Sequence, residues 1–344
     1  MSWAGGGLSV SKMKSLAALI IATLGLLLAG QSQAGEAIVL RFSHVVAPDT
    51  PKGLGAEKFK ELAERYTQGR VKVEVYPLAQ LYRDQEELEA VQLGAVEMVA
   101  PSLAKFGPLG IKEFEVFDLP YLFPGWAALH AVTQGTIGKE LLAGLDSKGI
   151  RGLAFWDNGF KIMSANRPIH MPQDLAGLRM RIQPSRVLQA QMKTLGVVPQ
   201  IIPLPAVHQA LEMGVTDGTE NPPSNMLVQR LSEVQPHATL SNHGYLGYAV
   251  IVNKAFWDGL PRDIRSALER AMSEATQYTN RIAETANAEA LAKMKAAGTT
   301  LFHEQTSAER EAWIKALEPV YADVAARIGK DRIDAIRAVT GLTQ

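Results

Sequence analysis

Between residues 37 and 101 the apolar positions switch period again and again, and this switching sets narrow limits on the fold. Ala37–His44 (AIVLRFSH) is β-branched at its start and alternates toward its end, as a strand does. Pro51 then stands at a helix entry, with Leu54, Phe59, Leu62 and Ala63 falling roughly on one helical face. Val71–Tyr76 (VKVEVY) alternates again, Asp84–Leu93 returns to helical spacing, and Val96–Pro101 (VEMVAP) reads as a short strand. A β-α-β-α-β order predicts parallel strands joined by right-handed crossovers. Ligands in such sheets bind beyond the carboxyl ends of the strands. The loops after His44, Tyr76 and Ala100 are therefore the ones to watch.

A second series follows. Leu178–Ile182 reads as a strand, Arg186–Leu195 as a helix, Val198–Ile202 as a strand, and Ala206–Met213 as a helix stopped by Gly214. Asp217-Gly218 reads as a turn. Further strands are expected at Ile150–Trp156, Phe160–Ala165 and His237–Asn253. Two similar series argue for an α/β protein of two αβ lobes. Residues 262–297 contain neither Gly nor Pro. Unbroken, such a helix would be roughly 54 Å long and could bridge the lobes; two helices with a kink are the alternative. Pro319 predicts a break or kink in a helix over 309–328, and Arg332–Val339 reads as another helix.

The N-terminus has its own pattern. Lys12 and Lys14 precede a fourteen-residue apolar run, Leu16–Ala29, and a small-x-small site at Ser32-Gln33-Ala34. This predicts a signal peptide over 1–34, cleaved after Ala34. The run is short for a spanning helix, which needs about 20 residues. Basic and acidic residues number 35 each, so no global positive field exists to hold nucleic acid. Cysteine is absent, which removes thiol catalysis, disulfides and Cys-ligated metals together. An exported chain without cysteine fits a bacterial periplasm.

Catalytic patterns are missing. There is no G-x-x-x-x-G-K-[ST], no G-x-S-x-G and no H-E-x-x-H. His237 and His243 lie six apart on a strand-like segment and would share a face, but no carboxylate nearby matches them, so no metal and no cofactor are expected. Glu86, Glu87 and Glu89 sit near a helix start, where carboxylates favour the dipole. Arg179 and Arg181 are i, i+2 on one short apolar strand. Two arginines there need anionic partners, either protein carboxylates or a ligand's.

Seven segments together resemble one family: FSHVVAPDTPKG (42–53), VEVYPLAQLYRDQEELEAVQLGAVEM (73–98), APSLAKFG (100–107), WDNGFKIMSANRPI (156–169), DLAGLRMRIQPS (174–185), ALEMGVTDGTENP (210–222) and NHGYLGYAVIVNK (242–254). They are similar to the DctP-type solute-binding proteins of tripartite ATP-independent periplasmic (TRAP) transporters. The resemblance implies two αβ lobes with a ligand cleft between them, closing on a small organic acid anion without catalysis. On this chain the lobes would comprise 35–158 plus about 247–285, and 159–246 plus about 286–344. It also implies membrane-integral TRAP subunits as partners.

Site roles follow from the same resemblance. Arg181, closing the GL-x-x-R motif, is the expected clamp on the substrate carboxylate, with Arg179 a basic neighbour outside the clamp. Asn221 of the ENP motif is expected to bond the ligand or orient the clamp. Lys161 points to the branch that binds C4-dicarboxylates, and His44 and Lys52 are assigned to the distal carboxylate. Ser102, Asn158, Tyr245 and Tyr248 are further cleft candidates, the tyrosines equally suited to core packing. One departure stands out: Pro203–His208 (PLPAVH) lacks an acid and a tyrosine that relatives often carry, which leaves the pocket base open. The expected ligand is malate, succinate or fumarate; a monocarboxylate, 2-oxo acid or sugar acid is the alternative.

Overall fold

The computed structural model describes residues 1–2, 36–83 and 85–342. Chain contacts separate Met1–Ile38 from one compact unit, Val39–Gln344. The expected signal peptide, 1–34, lies almost wholly outside the described residues. No described helix is long and apolar enough to cross a membrane.

Nine strands form one mixed sheet: β1 (Ile38–Ser43), β2 (Val71–Tyr76), β3 (Met98–Val99), β4 (Ile150–Ala165), β5 (Arg179–Ile182), β6 (Val198–Ile201), β7 (Gly218–Asn221), β8 (His237–Asn253) and β9 (Leu301–His303). Their order is β2-β1-β3-β8-β4-β7-β5-β6, with β9 beside β8. The helices are α1 (Pro51–Tyr66), α2 (Glu87–Gln92), α3 (Trp126–Thr133), α4 (Thr136–Gly144), α5 (Arg186–Thr194), α6 (Val207–Glu212), α7 (Pro223–Val228), α8 (Lys254–Gly259), α9 (Arg262–Ala297), α10 (Ser307–Ile328) and α11 (Lys330–Thr340).

Both expected αβ series are present. In β1, Leu40 and Phe42 are buried while Arg41 turns outward to a bidentate pair with Glu97 at 2.7–2.8 Å. Thr50 caps α1, its hydroxyl accepting from the Gly53 amide at 3.2 Å, and Pro51 supplies the first helical turn. Phe59, Leu62 and Ala63 are buried as expected, but Leu54 is exposed. Gly55 and Ala56 take the inner face instead, because α9 packs there against Gly55.

Two other expectations change, and of the break or kink expected at Pro319 the break is absent. Ile150–Trp156 and Phe160–Ala165 are not separate strands but one, β4, whose antiparallel partner β8 continues past the Asp157-Asn158-Gly159 segment. The turn-like sequence becomes a register shift between Asp157 and Gly159 rather than a chain reversal. Gly218 already belongs to a strand, β7, parallel to β5, and Asp217 lies in the bend just before it. α10 runs through Pro319 without ending.

β4 and β8 are the shared spine. β1, β2 and β3 join the sheet through β8 at Val252 and Ile251, whereas β5, β6 and β7 join through β4 at Ile162–Ala165. α9 is a single 36-residue helix lying across both parts. Its Thr276 accepts from the Trp156 indole at 2.9 Å, Asn280 accepts from the Asp157 amide at 2.9 Å, and Asn287 donates to the Asn158 carbonyl at 2.5 Å. Asn287 also accepts from the Ser224 amide at 3.0 Å, which ties in α7. These residues recur at helical spacing, so one polar stripe satisfies the backbone where β4 shifts register.

A Cβ at Gly55 would collide with the Thr279 hydroxyl. We expect Gly55→Ala to lower unfolding free energy by about 1–3 kcal/mol through overpacking. Adding Thr279→Ala should restore part of that loss. Urea unfolding of the two single variants and the double variant checks this; strictly additive costs would exclude the close approach.

Candidate functional site

The loops beyond β1, β3, β5 and β7 meet around one cavity, at the strand ends where an open αβ sheet binds ligands. Val45 and Val46 follow β1, Ser102 and Lys105 follow β3, Arg181 and Gln183 belong to β5 and its exit, and Asn221 ends β7. Asn225 enters from α7, Leu246 and Tyr248 from β8, and Leu204 from the segment after β6. Lys52, in the first turn of α1, completes the wall from below β1.

Three cationic side chains line this cavity, and all are buried. The Arg181 Nε donates to the Ile202 carbonyl at 2.8 Å, which fixes the guanidinium plane. Lys52 donates to the Ala100 carbonyl at 2.9 Å and lies 3.9 Å from the Tyr248 ring centroid, a cation–π contact. Lys105 pairs with Glu87 at 2.6 Å. Glu87 is thus not a solvated helix-start carboxylate but a buried counter-ion. Val45, Val46 and Leu204 form a small apolar cluster on one side. The PLPAVH segment therefore contributes the apolar Leu204 side chain, and Ile202 just before it supplies the carbonyl that orients Arg181.

Of the residues singled out from sequence, Arg181, Asn221, Lys52, Ser102 and Tyr248 lie together in the lining. Lys161, His44, Asn158 and Tyr245 lie outside it. Tyr245 and Tyr248 are three apart on a strand and so face opposite ways. The Tyr245 hydroxyl donates to Asp157 at 2.6 Å, while its ring packs near Phe117 and Phe123. Asn158 stands behind the wall, donating to the Tyr248 hydroxyl at 2.7 Å and to Asn225 at 3.0 Å. Arg179 meets a protein carboxylate, Asp217, at 2.8 Å on the surface.

His44 is buried next to Lys52. Burial first, and the Lys52 charge second, press its imidazole down to about 3. It is neutral at physiological pH, so its expected part as a cationic anchor is not available to it. Lys161 is committed elsewhere, its Nζ 2.8 Å from Glu220. Glu220 also meets His243 Nε2 at 2.9 Å, and Ser241 holds His243 Nδ1 at 2.7 Å. Burial alone would raise the Glu220 carboxyl, but Lys161 and His243 hold it at about 2. His237 and His243 do not work as a pair, because β8 breaks register between Thr239 and Gly244, with Asn242 at φ 42°.

Three lining residues carried a readable signal that was passed over. Lys105 follows Ser102 by three in the loop already marked as a ligand loop. Gln183 is i+2 from Arg181, hence on the same strand face. Asn225 is i+4 from Asn221 and donates to its side-chain oxygen at 3.4 Å.

Asp118, buried close to Lys161 and Glu220, is raised to about 6 by burial, against the pull of Lys161. A carboxyl raised on folding binds its proton more tightly in the folded state. Its stabilising contribution is full below about 3.8 and is lost as pH climbs through about 6. Asp118→Asn should therefore match the parent near pH 4 and exceed it by up to about 3 kcal/mol at pH 7. Denaturant unfolding across that range checks the sign; a difference independent of pH would refute it.

Residues 42–328 match the DctP family, bacterial extracellular solute-binding protein, family 7. The chain is 63% identical over 325 residues to the C4-dicarboxylate-binding periplasmic protein DctP of Rhodobacter capsulatus, covering 94% of this chain and 98% of that protein. A TRAP periplasmic solute-binding protein of Shewanella oneidensis, solved with bound succinate, superposes with a TM-score of 0.86 at 39% identity, covering 88% of this chain and 99% of that one. One from Pseudomonas aeruginosa, solved with bound L-malate, gives 0.81 at 43% identity, covering 83% and 99%.

Proposed function

This chain belongs to the DctP family of bacterial extracellular solute-binding proteins, and from that premise we propose that it captures a C4-dicarboxylate such as succinate, malate or fumarate. The observation that carries the reading is the charge arrangement of the cavity. Arg181 reaches it from β5, whereas Lys52 and Lys105 reach it from α1 and the loop after β3. Two carboxylates need two separated cationic walls, and the two walls come from opposite parts of the sheet. On one side of the cavity Val45, Val46 and Leu204 offer an apolar surface suited to a two-carbon middle rather than to a row of sugar hydroxyls.

In this reading the Arg181 guanidinium forks onto one carboxylate. Planar paired donors match a carboxylate better than a point charge does. Lys52 takes the other carboxylate with Lys105, held by Glu87, beside it, and Asn221, Asn225, Ser102 and Tyr248 supply hydrogen bonds. Lys161 keeps Glu220 ionised behind the site, and neutral His44 shapes the wall beside Lys52. The protein works in the periplasm after removal of the 1–34 leader. The lobes 35–158 plus about 247–285 and 159–246 plus about 286–344 close on the ligand. The closed form hands it to TRAP membrane subunits, with no chemical step.

Micromolar binding corresponds to about −8 kcal/mol. Arg181→Lys should weaken succinate binding tenfold or more, about 1.4 kcal/mol. Calorimetry on ligand-stripped protein, with succinate, L-malate, fumarate, pyruvate, lactate and gluconate, tests both the residue and the class. Diacid-selective binding that Arg181→Lys weakens is expected. Binding of monoacids or gluconate alone would overturn the two-wall reading, and unchanged affinity in Arg181→Lys would remove it from the clamp.

A further inference from the structure

Away from the ligand cavity, His170, His303 and Glu309 bring one ligand atom each to within 4.8 Å of one another. They come from three distant stretches of chain: the linker between β4 and β5, strand β9, and the first turn of α10. The His170 and His303 rings stack with centroids 4.0 Å apart and planes at 21°. His303 Nε2 lies 3.0 Å from both Glu309 oxygens. His170 and His303 also border a surface cavity with His237, which leaves room for an ion and water.

We propose that His170, His303 and Glu309 form a binding site for a single divalent transition-metal ion of the zinc class. Two imidazole nitrogens and one carboxylate oxygen are the donor set that zinc accepts, with water in the fourth position. Tetrahedral zinc at about 2.0–2.1 Å from each ligand sets its ligand atoms about 3.3 Å apart. The trio therefore closes by 1.5 Å or less, within reach of a turn of the exposed His170 ring. The backbone around the site is already held. The His170 amide donates to Asp174 at 2.9 Å, and its carbonyl accepts from the Trp313 indole at 3.0 Å. His303 pairs in register with Thr239, and Glu309 is fixed by its capping box with Thr306. A bound ion would replace the proton shared by His303 and Glu309 and draw in His170. It would pin β9, α10 and the β4–β5 linker together as a structural ion, far from the acid site in role.

The test uses the purified, tag-free protein, titrated with zinc chloride by calorimetry, with magnesium as the contrasting cation. One zinc ion per chain is expected, with no matching response to magnesium and a rise in the unfolding midpoint. His170→Ala and His303→Gln should each weaken zinc at least tenfold. Glu309→Gln should weaken it too while keeping the helix cap, since glutamine serves equally in a capping box. None of the three lines the acid cavity, so organic-acid binding should stay at the parental level and report that each variant is folded. Absence of saturable zinc binding in the parent would overturn the proposal, as would zinc binding that survives His170→Ala and His303→Gln at full strength.

Discussion

The antiparallel pairing of β4 with β8 is the interaction on which the rest of this structure depends. Every other strand reaches the sheet through one of these two. Their register slips between Gly152 and Ala154, between Asp157 and Gly159, and again between Lys161 and Met163. Each slip turns side chains that a regular strand would send elsewhere. Asn158, behind the cavity wall, sits in the second, and Lys161, beneath the β7 carboxylate, opens the third. The buried backbone at the second slip needs partners, and the polar stripe of α9 supplies them. Gly159 admits α9 this closely, since a side chain there would strike Asn287.

Around this spine the charges are layered. Arg181, Lys52 and Lys105 line the cavity, while Lys161, Glu220, His243 and Asp118 are buried outside its lining. Buried ion pairs are weak sources of stability, because desolvation offsets much of their attraction. Their value here is orientation. Glu220 stays ionised, Lys161 is drawn toward it, and the Ile202 carbonyl aligns Arg181. A ligand anion thus meets donors whose directions are set before it arrives, which lowers the ordering cost of binding.

Much of this was legible in the residues. Periodicity exposed both αβ series, and the uninterrupted 262–297 stretch is one helix. Arg181, Asn221, Lys52 and Ser102, marked by the family resemblance, line one cavity at the strands' carboxyl ends. What stayed hidden depends on pairing between distant segments. Asp157-Asn158-Gly159 has turn composition, yet β8 holds it extended. His44 stands in the right loop, yet its ring is buried beside a lysine and stays neutral. Lys161 carries the right charge, but Glu220 faces it from β7, a strand that the local pattern does not mark. Leu54 fits a helical stripe, yet the close packing of Gly55 on Thr279 rotates the inner face away from it. Local pattern specifies elements; the partner of a buried charge is a tertiary fact.

The position of β8 between β3 and β4 has a consequence for how the chain is made. Strands β1, β2 and β3 are complete by residue 99, but among the described residues they join the rest of the sheet through the pairing of β3 and its flanks with residues 248–253 of β8. The long strand β4, finished at residue 165, likewise lacks the neighbour on its first half until β8 exists. More than half of the polypeptide must therefore leave the ribosome before the central ribbon can form. Contacts so remote in sequence close slowly, because loop entropy is lost before the pairing returns it. A nascent chain of this topology therefore completes its central ribbon only in the last third of its synthesis, so its early strands wait unpaired across their inner edge.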